Sequence, residues 1–331
     1  MKVRLKLYRG YANEQEIILS GHVFSKNAPD RFNLEGRKLR HAYAVLRMFT
    51  IKTLGNVSVN LQFGDLISST KTMEDGYFRF ALPYSESLKS GWHSFTVSAE
   101  INGTYVEEKG EFIKPYPGEY GLISDIDDTF LVSHSSNFFL KLYVLLTRNV
   151  NKRKIFEGVV QHYRMLSVAG RTEKNKHNAF FYVSSSEWNL YNFIDRFAQL
   201  HDLPKAVLKL KRIKTGLGDF LFTGGGSHDH KFYKIKHLLE FYPELKFVLL
   251  GDDSQKDPYI YERIVKMFPA GIEAVYIRCT KSSRKSKVTQ VLENILSMDV
   301  KVCYFKDSSE AMAHSKEIGI ISGEEHLKDK I

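Results

Sequence analysis

The stretch that decides the reading is "GLISDIDDTFLVSH", Gly121–His134. A short apolar run, Leu122-Ile123, leads into Asp125, Asp127 and Asp128, and Thr129 follows at once. Packing does not call for three carboxylates at the end of a buried strand, and like charges this close repel. Such a cluster is either a solvated turn or a place to hold a cation.

Three later segments repeat the pattern of a strand that ends in polar residues. "AFFYVSSSEW" ends in Ser184, Ser185 and Ser186, and "KFVLLGDDSQKDPYIY" ends in Asp252-Asp253 with Asp257 close behind. "HDHKFYKI" sets Lys231 at a helix start, where a lysine opposes the helix dipole. Taken alone, Ser184 reads as an N-cap and Lys231 as a solvated lysine. Two acidic clusters at one sheet edge are harder to assign to turns.

Strand-like runs alternate with helical patterns from Gly121 onward. The strands are "GLISD", "AFFYVS", "AVLKLK", "KFVLLG", "EAVYI" and "VKVCYF". The helices are "EWNLYNFIDRFAQL", "HKFYKIKHLLEFY" and "DPYIYERIVKMF", the last with Asp257 as N-cap and Pro258 at the first helical position. This alternation predicts an α/β fold with a mostly parallel sheet whose ligands bind beyond the carboxyl ends of the strands.

Residues 1–118 read differently. "KVRLKLY" alternates strictly, and "EIILSGHVF", "VSVNLQF", "YFRFALP" and "HSFTVSAEI" continue in that style, separated by turns at "EDGY", "KSGW" and "NGT". They predict an N-terminal β-sandwich. "KPYPGEYG", Lys114–Gly121, is the linker candidate.

The chain has 331 residues, 43% of them hydrophobic, so a sizeable core is available and disorder is not indicated. Its formal charge of +10 suits polyanionic partners or phosphorylated substrates. Nucleic-acid-binding motifs are absent from the sequence, so a nucleic-acid partner is not expected. Two cysteines, Cys279 and Cys303, lie in apolar runs and read as buried thiols. The start of the chain has no signal-like apolar core, and "FFLKLYVLL", Phe138–Leu146, is too short to span a bilayer. A cytoplasmic location is expected, with peripheral membrane association.

In order, the four segments resemble the signature of the haloacid dehalogenase superfamily, over roughly Gly121–Asp307. The resemblance implies a Rossmannoid catalytic domain over 119–331 with a helical cap insert near 130–178. It implies Asp125 as nucleophile, Asp127 as general acid and base, Ser184 and Lys231 as phosphate-binding groups, and Mg²⁺ held by Asp125, Asp127 and Asp252 with Asp253 or Asp257 assisting. "SDIDDTFLVSH", "TRNVNKRKIFEGVVQHYRML", "FFYVSSSEWNLYNFI" and "GDDSQKDPYIYERI" further resemble the actin-patch phosphatidate phosphatase family, with Glu187 where that pattern has proline. That likeness implies hydrolysis of phosphatidate to diacylglycerol and phosphate at a membrane surface. A soluble phosphomonoesterase and a lipid- or protein-binding adaptor with a vestigial site are the alternatives. The partner of the β-domain stays open.

Two basic stretches bear on the substrate. The insert carries Lys141, Arg148, Lys152, Arg153, Lys154, Arg164, Arg171, Lys174 and Lys176 around "FFLKLYVLL", which suits an anionic lipid surface or a packed helical cap. "KAVLKLKRIKTG" puts Lys209 and Lys211 on one face of a strand, expected to be a solvated edge.

Overall fold

The computed structural model describes residues 3–26, 52–84, 88–118, 120–125, 150–173, 175–211, 229–254, 256–280 and 285–322. Asp127, Asp128, the apolar run 138–146 and the glycine loop before Asp229 lie outside the described residues. The chain divides into two compact units. The first holds 1–115, 185–200 and 205–227, and the second holds 116–184, 201–204 and 228–331.

The first unit is built on β1 (Arg4–Ala12), β2 (Glu16–Lys26), β3 (Lys52–Thr53), β4 (Ser58–Phe63), β5 (Leu66–Lys71), β6 (Tyr77–Pro83), β7 (Gly91–Ile101) and β8 (Thr104–Lys114). They form one curled sheet in the order β3-β2-β1-β8-β7-β4-β5, with β6 also paired to β2. The β1–β8 pairing is parallel and the others are antiparallel. The period-two pattern sends Leu5, Leu7, Ile17, Leu19, Phe78, Phe80, Phe95, Val97 and Phe112 into one core inside the curl. Asn102 and Gly103, both at positive φ, make the two-residue turn that joins β7 to β8. That turn explains β8, which its own sequence hides: Glu107, Glu108 and Lys109 break the alternation, yet β7 supplies a full antiparallel template.

The outer face of β1 and β2 is covered by a helix, α2 (Tyr191–Leu200), and by β11 (Ala206–Lys211). Trp188 stacks on His22 at 4.1 Å, the Tyr191 hydroxyl accepts from the Arg9 N–H at 2.9 Å, and the Arg9 guanidinium donates to Asp195 at 2.5 Å.

The second unit contains a separate parallel sheet. Its strands are β9 (Tyr120–Asp125), β10 (Ala179–Glu187), β12 (Lys246–Asp252), β13 (Ile272–Arg278) and β14 (Lys301–Phe305), lying in the order β10-β9-β12-β13-β14. Residues such as Ile123, Phe181, Val248, Leu249, Val275 and Ile277 are almost wholly buried, as expected of strands covered on both faces. The helices are α1 (Val150–Ser167), α3 (Asp229–Phe241), α4 (Asp257–Met267), α5 (Ser286–Leu296) and α6 (Ser308–Glu317). The protein is therefore mixed α/β, one curled sheet and one parallel sheet.

Helix α1 falls inside the predicted cap insert and packs on the sheet. Its Tyr163 hydroxyl meets Ser124 Oγ at 2.7 Å, and His162 Nε2 meets Ser315 Oγ of α6 at 2.9 Å. Asp257 is the first residue of α4 and not its N-cap, which is Lys256. The expected N-cap hydrogen bond is missing because the Asp257 carboxylate turns to Lys231.

Burial, and then His314, drives the pKa of His162 down to about 3. Unfolded, this histidine titrates near its ordinary value of 6.5. Its contribution to stability is complete above pH 6.5 and falls by about 1.4 kcal/mol per unit as pH drops below it. Between pH 7 and 5, the unfolding free energy of His162→Gln should fall less than that of the wild type, by about 2 kcal/mol. Denaturant unfolding at the two pH values measures this. Equal pH dependence in both proteins would show that the folded His162 titrates normally.

Candidate active site

Beta strand β9 is the central strand of the site. Its first crossover leads to β10 on one side, and β12 lies on the other, so the strand order reverses at β9. In a parallel sheet this reversal opens a crevice beyond the carboxyl ends, because the flanking connections diverge. The register aligns the ends of β9 and β12 with the middle of β10: Asp125 pairs with Val183, and Ser124 pairs with Leu250. Asp125 thus lies level with the stretch of β10 that holds Ser184 and with Asp252 at the end of β12.

Alternation along β9 gives neighbouring residues different tasks. Ser124 bonds to Tyr163 on α1. Asp125, 2% exposed, accepts from Lys231 Nζ at 2.6 Å. The same ammonium donates to Asp257 Oδ1 at 2.9 Å. Lys231 is itself buried, in the first turn of α3. A lysine opposing the helix dipole is stabilised here by two buried carboxylates. Asp257 shows the strain of the cluster: burial raises its proton affinity, Lys231 lowers it, Asp252 raises it again, and the net direction is upward.

Asp252 is fully buried. Its Oδ1 accepts from the Ser254 N–H at 2.7 Å, while its Oδ2 has no hydrogen-bond partner among the described residues. Burial lifts its pKa to about 6, with Asp125 adding to the rise and Ser254 and Arg278 opposing it. An orphaned carboxylate oxygen next to a second carboxylate is an arrangement that a hard cation completes. Among the described residues, no group of three or more His, Cys, Asp or Glu converges to hold a metal by itself. Asp127 lies outside them.

Asp253 is placed differently from its neighbour. Its Oδ1 accepts from the Thr280 N–H at 2.9 Å and the Thr280 hydroxyl at 2.5 Å, and its Oδ2 accepts from Tyr304 at 2.7 Å. The Lys285 ammonium donates to its carbonyl oxygen. Burial pushes this carboxyl up, but these donors outweigh it and hold the pKa below the ordinary range. Asp253 ties the end of β12 to the ends of β13 and β14.

Ser184 is fully buried, and Lys234 donates to its carbonyl at 2.7 Å. Lys234 follows Lys231 by one turn of α3, so a single helix reaches both strand ends. Sequence reasoning missed Lys234, Thr280, Tyr304 and Arg278. Arg278, buried and level with Asp252 in the β12–β13 pairing, is a lone arginine ending "EAVYIR" and carried no local signal.

Gly251 is needed for space, since its φ is not positive. A Cβ there would come within 2.8 Å of Asp257 Oδ2 and 3.0 Å of both Asp257 Cβ and Tyr261. Gly251→Ala should displace Asp257 and cost about 1–3 kcal/mol. Its melting temperature should fall, and an unchanged value would contradict the packing described.

This geometry lies within a stretch that has known relatives. Residues 120–279 match the family model described as phosphatidate phosphatase APP1, catalytic domain. Phosphatidate phosphatase APP1 of Saccharomyces cerevisiae is 27% identical over 176 residues, covering 52% of this chain and 27% of that protein. The chain thus spans about a quarter of the length of the APP1 relative it matches. Asp125, Ser184, Lys231, Asp252, Asp253 and Asp257 all lie inside the APP1-like stretch.

Solved structures add little. A carbohydrate acetylesterase from Xanthomonas citri superposes with a TM-score of 0.36 at 7% identity, covering 96% of this chain and 75% of the other. A β-glucuronidase from Parabacteroides merdae gives 0.29 at 7% identity, covering 91% and 40%. Likeness this low carries no argument for fold or function.

Cys279 and Cys303 are both buried. Among the described residues, no helix is long and apolar enough to cross a membrane. Of the insert's basic residues, Arg164 pairs with Asp202 at 2.9 Å, and Arg171 donates to Asn178 at 2.9 Å and less closely to the Tyr116 carbonyl. The side chains of Lys152, Arg153 and Lys154 lie outside the description.

Proposed function

We propose that the chain is a Mg²⁺-dependent phosphatase of the haloacid dehalogenase type that hydrolyses phosphatidate to diacylglycerol and phosphate at a membrane surface. In this reading residues 119–331 make up a Rossmannoid catalytic domain, and residues 1–118 a β-sandwich domain before it. The observation that carries the proposal is the buried Asp125–Lys231–Asp257 cluster beside Asp252, at a strand-order reversal within the APP1-like stretch.

Each residue then has a task set by its surroundings. Asp125 attacks phosphorus, so that an aspartyl-phosphate divides one hard displacement into two easier ones. Lys231 orients Asp125 through their ion pair, and offers its ammonium to the transferring oxygens as charge spreads over them. Ser184 donates a hydroxyl to the same oxygens from β10. Asp127 protonates the leaving oxygen and then takes the proton of the attacking water. Asp253 holds the loop rigid. Asp125, Asp127, Asp252 and Asp257 are the groups that would hold Mg²⁺, with its ligand shell completed by water and substrate oxygen. When bound, the ion supplies Lewis-acid relief of the repulsion between carboxylate and phosphate.

Metal affinity should follow Asp252. Protonated, it cannot ligate, so Mg²⁺ binding should weaken by about tenfold per unit as pH falls below about 6. Calorimetric titration of the protein with Mg²⁺ at pH 7.5 and 5 checks this without substrate. Equal affinity at both values would remove Asp252 from the ligand set.

The functional test is phosphate release from a panel of phosphatidate vesicles, sugar phosphates and nucleotides, with and without Mg²⁺. The proposal expects release from phosphatidate that requires Mg²⁺. Faster release from the soluble compounds would favour a soluble phosphomonoesterase, and no release from any would favour a binding module.

A further inference from the structure

The two edges of the parallel sheet in the second unit differ in charge. At the carboxyl edge the chain leaves β12, β13 and β14 and turns into α4, α5 and α6. Lys256 before α4, Lys287 in the first turn of α5 and Lys306 before α6 are all exposed there. Among the described residues neither Lys256 nor Lys287 has an ion pair. Lysines at the amino edge are neutralised: Lys246 pairs with Glu273 at 3.2 Å, Lys301 with the same carboxylate, and Lys266 with Glu262 at 2.9 Å. The exposed acids of the carboxyl edge, Asp307 and Glu310, turn to backbone N–H groups at the start of α6.

Helix α1 leads back to the start of β10, so it too begins at the carboxyl edge, and its first turns carry Lys152, Arg153 and Lys154. Two tyrosines complete this rim. Tyr259, in the first turn of α4, is 40% exposed, and Tyr233, in the second turn of α3, is 43% exposed. A tyrosine ring with an apolar body and a polar tip suits the boundary between headgroups and acyl chains.

We propose that this rim is the face that docks on an anionic lipid bilayer, with Lys256 and Lys287 against the headgroups and Tyr233 and Tyr259 at the interface. The proposal rests on the phosphatidate reading: two acyl chains hold that substrate in a bilayer, and its phosphate reaches Asp125 from this same edge. A surface that contains phosphatidate is negative, and the rim that meets it is positive. The neutralised amino edge faces away from the lipid.

The test is sedimentation of the full chain, in Mg²⁺-free buffer, with vesicles that lack phosphatidate: phosphatidylcholine alone, and phosphatidylcholine mixed with phosphatidylglycerol. Binding should require the anionic lipid and weaken as salt rises. Lys256→Gln with Lys287→Gln should weaken it about thirtyfold, the effect of removing two charges near the surface. Lys266→Gln with Lys316→Gln removes the same charge at the other edge. About 14 Å of helix separates Lys266 from the first turn of α4, more than a screening length at physiological salt, so this pair should change binding by less than about twofold. All four lysines are exposed, and the melting temperatures should match that of the wild type. No binding to the anionic vesicles, or equal loss in the two double variants, would overturn the proposal. Tighter binding to duplex DNA, lost in the Lys256 and Lys287 variant, would assign the rim to nucleic acid and overturn it as well. The phosphatase reading fails separately, by the absence of phosphate release, since these vesicles carry no substrate.

Discussion

Asp125→Asn should stop the proposed phosphate release while the protein stays folded. The substitution keeps the shape of the side chain and removes its nucleophilic charge. Activity should fall by a factor on the order of 10⁴ or more, the scale seen when a covalent nucleophile is removed. The fold survives because Lys231 keeps its second partner, Asp257, at 2.9 Å. Circular dichroism and the melting temperature, measured with the rate, separate lost chemistry from lost structure. Retained activity would mean that another group attacks phosphorus.

Lys231→Met should have the largest effect on both counts. The ammonium lies between two carboxylates that are each about 1% exposed at the side chain. Removing it leaves Asp125 and Asp257 buried without the cation. Breaking a buried pair costs about 3–5 kcal/mol, and one carboxylate will take up a proton to limit the repulsion. The melting temperature should drop by about 10 °C and activity should vanish. The double variant Lys231→Met with Asp257→Asn separates the two effects, because it removes one of the repelling charges. Its stability should recover most of the loss, and its activity should not recover. A stable, active Lys231→Met protein would show that the cluster is neither structural nor catalytic.

The parallel strands were legible because they are continuous apolar runs, such as Phe180–Val183 and Phe247–Leu250, which need no alternation to declare themselves. The antiparallel strands β1, β2, β4, β6 and β7 were legible for the opposite reason, a clean period of two. Helix α6 was harder: its Asp307–Glu310 capping box is readable, but "SSEAMAHSKE" has no apolar stripe to confirm it. Helix α5 has the stripe, Val288, Val291, Leu292 and Ile295, but no side-chain cap at Lys285 to mark its start.

At the site, order along the chain was enough to bring Asp125, Ser184, Lys231, Asp252 and Asp257 under consideration. It ranked Asp252 above Asp253 only through the family resemblance, since adjacent aspartates look alike until a fold assigns their partners. Thr280 and Tyr304 are 27 and 51 positions from Asp253, and no local pattern anticipates contacts at that range. Lys209 is the same lesson with another outcome: an alternating lysine reads as solvent-facing until Tyr11, 198 positions away, covers it.

The most direct test of the central claim is acid quenching of the protein during turnover of phosphatidate with Mg²⁺, followed by mass spectrometry of the peptide containing Asp125. The account predicts a phosphoryl group on Asp125, absent from Asp125→Asn. Phosphate on a different residue, or steady turnover with no phosphorylated protein under single-turnover conditions, would contradict it.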